Sequence, residues 1–317
     1  MPKIVYGGRS FESGTASVLD TLTSHEISIP SSCRSGLCQA CLMRAVKGRV
    51  PARAQLGLKS TLVSTHHFLA CSCIPEEDME IALPDDAMHT LFAKVTRLER
   101  LNPNVLGIWL RPPESFDYLA GQFIRVYKDE TTSRPYSLAS VPGLDDELEL
   151  HVRKVPGGQV SGWLFDELRA GDTVKISEAM GNCIYVPGQP EQSLLLIGTG
   201  SGLAPLICIA REALSKGHSG PIGIYHGSRN RGELYLVEQM RAMAKKHSNL
   251  IYVPCVSEGD ALPDCASGMA PDVALADHPD LSHWKVFLCG NADMVKSAKQ
   301  KAFLAGASMR DIHADPF

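Results

Sequence analysis

A chain of 317 residues is longer than one hydrophobic core usually serves, so two or three domains are expected. Its 44% hydrophobic and 21% charged residues are those of a globular protein and exclude disorder; a formal net charge of −4 speaks against a nucleic-acid partner, which selects for a basic excess. No apolar run reaches the length of a membrane span, and residues 1–8 lack the apolar stretch of a signal peptide, so a reducing cytoplasm is the expected compartment.

The first segment, 1–88, reads as a strand at 3–6, a turn at Gly7-Gly8, a short helix at 17–24 and a cysteine-rich loop. A strand at 42–46 and a closing strand at 80–84 follow, and Asp85-Asp86 opens a linker. Five of the ten cysteines, at 33, 38, 41, 71 and 73, fall here. In a reducing compartment such clustering points to metal ligation or redox chemistry rather than disulfides. The run Cys33-Arg34-Ser35-Gly36-Leu37-Cys38-Gln39-Ala40-Cys41 spaces its thiols C-x4-C-x2-C, with Cys71 farther on, the arrangement of a plant-type [2Fe–2S] loop. Four thiolates must enclose two irons while backbone N–H groups approach the sulfides; Gly36 can take positive φ there, and Ser31, Ser32 and Ser35 keep the loop tight. A structural zinc site, which also uses C-x2-C, is the alternative. Cys71 and Cys73 compete as fourth ligand, because alternation along a strand could put both on one face. From Arg34 to Pro75 there are six Lys or Arg residues (Arg34, Arg44, Lys47, Arg49, Arg53, Lys59) and no acid, and six acids then crowd into 76–86. This is either a solvated surface or a basic rim that docks an acidic partner.

The second segment, 91–188, carries short strand patterns at 93–98, 105–110, 122–126, 148–152 and 173–177, spaced as in a barrel or sandwich. Arg134-Pro135-Tyr136-Ser137 offers a guanidinium fork for a phosphate, a ring to stack on an isoalloxazine and a hydroxyl for its reactive edge. Beyond it, His151-Val152-Arg153 runs into Gly157-Gly158-Gln159-Val160-Ser161, an extended strand followed by a glycine turn and a helix start that presents N–H groups to a pyrophosphate. Together these predict flavin binding; an ordinary barrel strand and turn is the alternative.

The third segment, 191–317, alternates strand patterns (194–197, 222–225, 250–253, 286–288) with helical ones (206–215, 234–246, 292–304), the mark of a parallel sheet covered by helices. The first strand enters Gly198-Thr199-Gly200-Ser201-Gly202-Leu203-Ala204-Pro205. This is neither a Walker A loop nor G-x-G-x-x-G, but it is a glycine-rich strand-to-helix turn where nucleotides bind, with Pro205 suited to a first helical turn. Ser228-Arg229-Asn230-Arg231 follows the next strand, where an adenosine ribose would lie; its arginines either take the extra phosphate of NADPH or are simply exposed. Cys289-Gly290-Asn291 follows a late strand and would put a thiol at the flavin–nicotinamide junction. Cys183, Cys208, Cys255 and Cys265 read as small core residues.

With these motifs in place the chain resembles, over its whole length, the reductase components of multicomponent oxygenases: a plant-type ferredoxin domain followed by a ferredoxin–NADP reductase-like module. The resemblance implies a multidomain α+β protein made of a β-grasp domain, a Greek-key flavin barrel and a Rossmann-like domain. It implies Cys33, Cys38, Cys41 and Cys71 as cluster ligands, FAD as flavin and NADH as the usual donor, NADPH being the other. Hydride would pass to FAD with Ser137 and Cys289 as the catalytic pair, then single electrons through the cluster to a protein acceptor. An oxygenase is the expected acceptor, docking near the cluster, and a monomer suffices; a deoxysugar dehydratase as partner, or a redox sensor without turnover, are the rival readings. Two departures stand out. Glu178-Ala179-Met180-Gly181 replaces the Gly-Pro-x-Gly common in the family, and Phe317, the last residue, would have to serve as the aromatic that covers the flavin even though chain ends usually fray.

Overall fold

The computed structural model describes residues 1–36, 38–84, 86, 89–259 and 263–317. Leu37 of the cysteine loop and Asp85 of the expected linker lie outside the described residues. The chain divides into two compact units, Met1–His89 and Thr90–Phe317.

The first unit contains β1 (Lys3–Tyr6), β2 (Arg9–Glu12), α1 (Val18–Ser24), β3 (Leu42–Lys47), α2 (Ser60–Ser64), β4 (His67–Leu69) and β5 (Met79–Ala82). The sheet runs β2-β1-β5-β3-β4, with β1 and β5 parallel at its centre, a β-grasp arrangement. Helix α1 starts where the Ser17 hydroxyl accepts from the Asp20 amide, satisfying one orphan donor of the first turn. It then lays Val18, Leu19 and Leu22 against Ile4, Met43, Phe68 and Ile81. The short β2 and β4 carry too little alternation to be read from sequence.

The second unit opens with the barrel: β6 (Thr90–Asn102), β7 (Val105–Arg111), β8 (Phe123–Tyr127), β9 (Ser133–Ser137), β10 (Leu148–Arg153), α3 (Gln159–Asp166) and β11 (Thr173–Ser177). Its order is β10-β7-β6-β11-β8-β9. A bridge between Leu138 and Leu150, with Ala139 N donating to Glu149 O at 2.8 Å, brings the two ends together and closes it. β6 outruns the strand expected at 93–98 because register shifts at Val95/Arg97 and Arg100/Asn102 let it bend and go on pairing with β7. Glu178–Gly181, the departure from the family pattern, still makes the turn. Met180 exchanges both backbone hydrogen bonds with Phe123, and Gly181 takes φ +96 where a Cβ would meet the Phe123 ring at 2.9 Å.

The same unit continues with β12 (Leu194–Thr199), α4 (Leu203–Ser215), β13 (Ile222–Ser228), α5 (Val237–Lys246), β14 (Leu250–Val256), β15 (Ala266–Ser267), α6 (Ala270–Asp277), β16 (Lys285–Gly290), α7 (Ala292–Leu304) and β17 (Ile312–Pro316). All pairings in its sheet, β15-β14-β13-β12-β16-β17, are parallel. Leu194 and Leu196 pack with α4 and α5, while Leu195 and Ile197 pack with α6 and α7. Burial on both faces is why these strands read as unbroken apolar runs. Chain order reverses between β12 and β16, and their carboxyl ends flank the crevice where open α/β sheets bind ligands. The last strand is tied into the sheet: β17 pairs with β16, and Phe317 N donates to Gly290 O at 2.8 Å. No helix among the described residues is long and apolar enough to cross a membrane.

Candidate functional site

The cysteine loop is wound by residues in the left-handed region: Gly36 at φ +78, but also Arg34 at φ +55 and Gln39 at φ +57. The winding turns amides inward. Ser35 N and Cys38 N approach Cys33 Sγ at 3.5 and 3.3 Å, and Cys33 N approaches Cys38 Sγ at 3.4 Å. The Ser35 hydroxyl and amide, then the Cys38 amide, bring the Cys33 thiol down to about 5. Such a nest of N–H groups suits thiolates and sulfides. Cys38 therefore sits with Cys33, while Cys41 sits with Cys71, burial raising the Cys41 thiol. Tetrahedral zinc needs its ligands around one centre, whereas two irons sharing a cluster take two thiolates each. The thiols here stand two and two, which fits the cluster. Cys73 is fully buried in the core of the unit, and burial pushes its thiol up to about 12.

On the barrel, β9 presents Arg134 and Pro135 exposed and Tyr136 half-buried. The Arg134 guanidinium donates to the neighbouring Ser133 carbonyl at 2.8 Å. Ser137 is buried and donates through Oγ to Asp315 Oδ2 at 3.4 Å. Asp315, which sequence reasoning passed over as part of the chain end, arrives on β17 opposite Cys289, and burial raises its carboxyl to about 6. Its only sequence signal is an acid two residues before a terminal aromatic.

The expected flavin segment on β10 divides. Both ring nitrogens of His151 are taken within the protein, Nδ1 by the Tyr235 hydroxyl at 3.1 Å and Nε2 by Glu149 at 3.0 Å. The Val152 side chain lies in the barrel core. Only main-chain groups of these two remain for a ligand. Arg153 is exposed and reaches Gly200, where a Cβ would stand 3.4 Å from its guanidinium. Gly158 must lack a Cβ because Ser161 Oγ would sit 2.4 Å from it; that hydroxyl is engaged by Val155 N at 3.2 Å. Helix α3 starts at Gln159, two residues earlier than read, with no side chain capping it, so its first amides, those of Gln159 and Val160, are free to meet an anion.

At the switch point two glycines let main chain touch main chain. A Cβ on Gly202 would lie 2.3 Å from Cys289 O, and one on Gly290 would lie 2.6 Å from Thr199 O. Asn291 N donates to Thr199 Oγ1 at 3.3 Å, and the Asn291 side chain caps α7 through Asp293 N and Met294 N. Gly200 and Ser201 form the half-exposed lip of the loop. Leu203 and Pro205 turn inward, because α4 begins at Leu203 and not at 206. The Cys289 thiol is wholly buried, 3.9 Å from Cys183 Sγ, and the contact with Cys183 and burial hold it well above the usual thiol range. Ser228 Oγ donates to Asn230 O. Arg229, left open between phosphate ligand and free surface group, is bonded to Glu233 at 2.7 Å, and Arg231 is bonded to Asp264.

The comparisons with known proteins agree with this layout. Residues 7–76 match the 2Fe-2S iron-sulfur cluster binding domain, 93–185 the oxidoreductase FAD-binding domain and 196–300 the oxidoreductase NAD-binding domain. The reductase component of the naphthalene 1,2-dioxygenase/salicylate 5-hydroxylase systems of a Ralstonia species is 33% identical over 314 residues, covering 95% of this chain and 93% of its own. The corresponding Pseudomonas putida naphthalene 1,2-dioxygenase reductase component is 30% identical, covering 96% and 94%. The crystal structure of the Amycolatopsis cytochrome P450 reductase GcoB superposes with a TM-score of 0.71 at 30% identity, covering 100% of this chain and 99% of that one. The chain therefore belongs to the NAD(P)H-dependent ferredoxin reductase components in which [2Fe–2S], FAD-binding and NAD-binding domains are fused in one polypeptide.

Proposed function

We propose that this protein is the reductase component of an oxygenase system, passing electrons from NADH, with NADPH the poorer donor, to an oxygenase partner. One observation carries the reading. The barrel strand with the flavin motif and the carboxyl edge of the parallel sheet meet in a single place, where Ser137 faces Asp315 and Arg153 faces Gly200.

In this reading the domains span about 1–88, 91–188 and 191–317. Arg134 and the first amides of α3 would hold the flavin's phosphates, Tyr136 and Phe317 would offer rings to its ring system, and Cys33, Cys38, Cys41 and Cys71 would hold the irons. Thr199–Gly202 and Gly290-Asn291 line the crevice that receives the dinucleotide. Bound flavin and cluster together supply the conversion of a two-electron donor into single electrons. The chain's part is placement: Ser137 and Asp315 hold a proton between Oγ and Oδ2 at the reacting edge, and the buried Cys183–Cys289 contact backs the crevice. Cys289 acts through packing, since its thiol is unexposed. The basic run from Arg34 to Lys59 meets an acidic surface of the acceptor, and the chain works as a cytoplasmic monomer.

The test is an anaerobic visible spectrum of the purified protein before and after one equivalent of NADH. Flavin and cluster absorbance bleached together supports the reading. Flavin bands alone, or no bleaching by either coenzyme, overturns it.

A further inference from the structure

The stretch after β13 holds more charge than a coenzyme site needs. Strand β13 lies beside β12, so its carboxyl end, Ser228, is next to the glycine-rich turn, the place where this class of fold receives the adenosine ribose. Arg229 and Arg231 follow at once. An unpaired pair of guanidinium forks here would suit the 2′-phosphate of NADPH, but neither fork is unpaired. A single turn of 3-10 helix over Arg231–Glu233 brings Glu233 back onto Arg229, Nη2 to Oε1 at 2.7 Å. The barrel fixes this turn, because Asn102 Nδ2 donates to Glu233 O at 2.7 Å. Asp264, from the segment after β14, takes Arg231 and is itself held by Arg241 Nη2 at 3.1 Å. Glu258 adds a third acid, its amide bonded to Arg229 O at 2.8 Å. Arg241 and then Arg231 hold the Asp264 carboxyl below its ordinary range, so it stays ionised at neutral pH.

We infer that Glu233 and Asp264 are the specificity-determining residues for the coenzyme: by occupying Arg229 and Arg231 they make the site select NADH against NADPH. The inference rests on the reductase reading and deepens it. A 2′-phosphate, carrying a charge near −2, must displace two carboxylates from their arginines and then sit beside them. A 2′-hydroxyl meets no such barrier and can donate to a carboxylate oxygen. Removing one negative charge a few ångströms from a phosphate in partly exposed surroundings is worth roughly tenfold in affinity or more.

The experiment uses flavin- and cluster-loaded protein and the variants Glu233→Gln and Asp264→Asn, made singly and together. Both side chains are partly buried, Glu233 to 19% and Asp264 to 31% exposure, and the amides are isosteric, so folding is checked by retained flavin and cluster absorbance. Two quantities are read: the ratio of kcat/KM for NADPH to that for NADH with ferricyanide as acceptor, and calorimetric binding of adenosine 2′,5′-bisphosphate against ADP. The expected result is a wild-type ratio of about 0.1 or below, rising roughly tenfold with each variant, with matching relative tightening of the bisphosphate. Equal use of both coenzymes by the wild type, or a ratio and a bisphosphate preference unmoved in the double variant, overturns the selectivity inference and leaves the reductase reading standing. Failure of either coenzyme to reduce the wild-type protein overturns both.

Discussion

Replacing Asp315 by Asn tests the coupling between the chain end and the barrel most sharply. The carboxyl is buried against Ser137 and raised from 3.8 to about 6, some two pH units, equivalent to about 3 kcal/mol. The sign follows from linkage. A carboxyl whose folded value is raised binds its proton more tightly folded than unfolded, so its contribution is complete below pH 4 and is lost as pH climbs through 6. Wild-type protein at pH 7 thus carries a buried charge that Asp315→Asn removes, while the amide oxygen still accepts from Ser137. The variant should be more stable than wild type by up to about 3 kcal/mol at pH 7, the gain shrinking below pH 5. Denaturant unfolding followed by flavin fluorescence between pH 4.5 and 8 measures this. NADH–ferricyanide turnover over the same range should show a limb near pH 6 in wild type and none in the variant. A stability difference that does not change with pH, or an unaltered limb, would refute the assignment of a titrating carboxylate to this site.

Further outcomes follow from the other contacts. Cys71→Ser should lose the cluster's visible absorbance, whereas Cys73→Ser should keep it and cost about 1–3 kcal/mol by burying an unmatched hydroxyl in the core, read as a lower unfolding midpoint. Gly202→Ala forces a methyl against the Cys289 carbonyl, 2.3 Å away; with backbone on both sides the turns must part, and KM for NADH should rise at least tenfold in steady-state assays. If the basic run from Arg34 to Lys59 docks an acidic acceptor, reduction of acidic cytochrome b5 should fall between 0.05 and 0.5 M salt as the screening length contracts. The rate with basic cytochrome c should not fall with it.

The division between sequence and tertiary structure is visible residue by residue. Sequence alone determined the three-part order, because each part has its own period: a cysteine spacing dictated by two irons, short alternating strands, and apolar runs buried on both faces with helices between them. The flavin and glycine-turn motifs stand out in the chain for the same reason, since each is built from sequence neighbours. The short strands β4 and β17 do not, being held by partners distant in sequence, and β2, held by its hairpin neighbour β1, is too short to show alternation. Tertiary structure also decided the roles of charged groups. Nothing near Asp315 in the chain announces Ser137, 178 positions away. Arg229 and Arg231 looked alike as free phosphate ligands or bare surface until folding brought Glu233 and Asp264 onto them. The thiol of Cys289, expected near the flavin–nicotinamide junction, is buried 3.9 Å from Cys183 Sγ, a neighbour 106 positions away that the local pattern does not contain. Local spacing encodes what must happen within a loop. Burial and charge pairing are properties of the folded neighbourhood, and a one-dimensional pattern does not contain them.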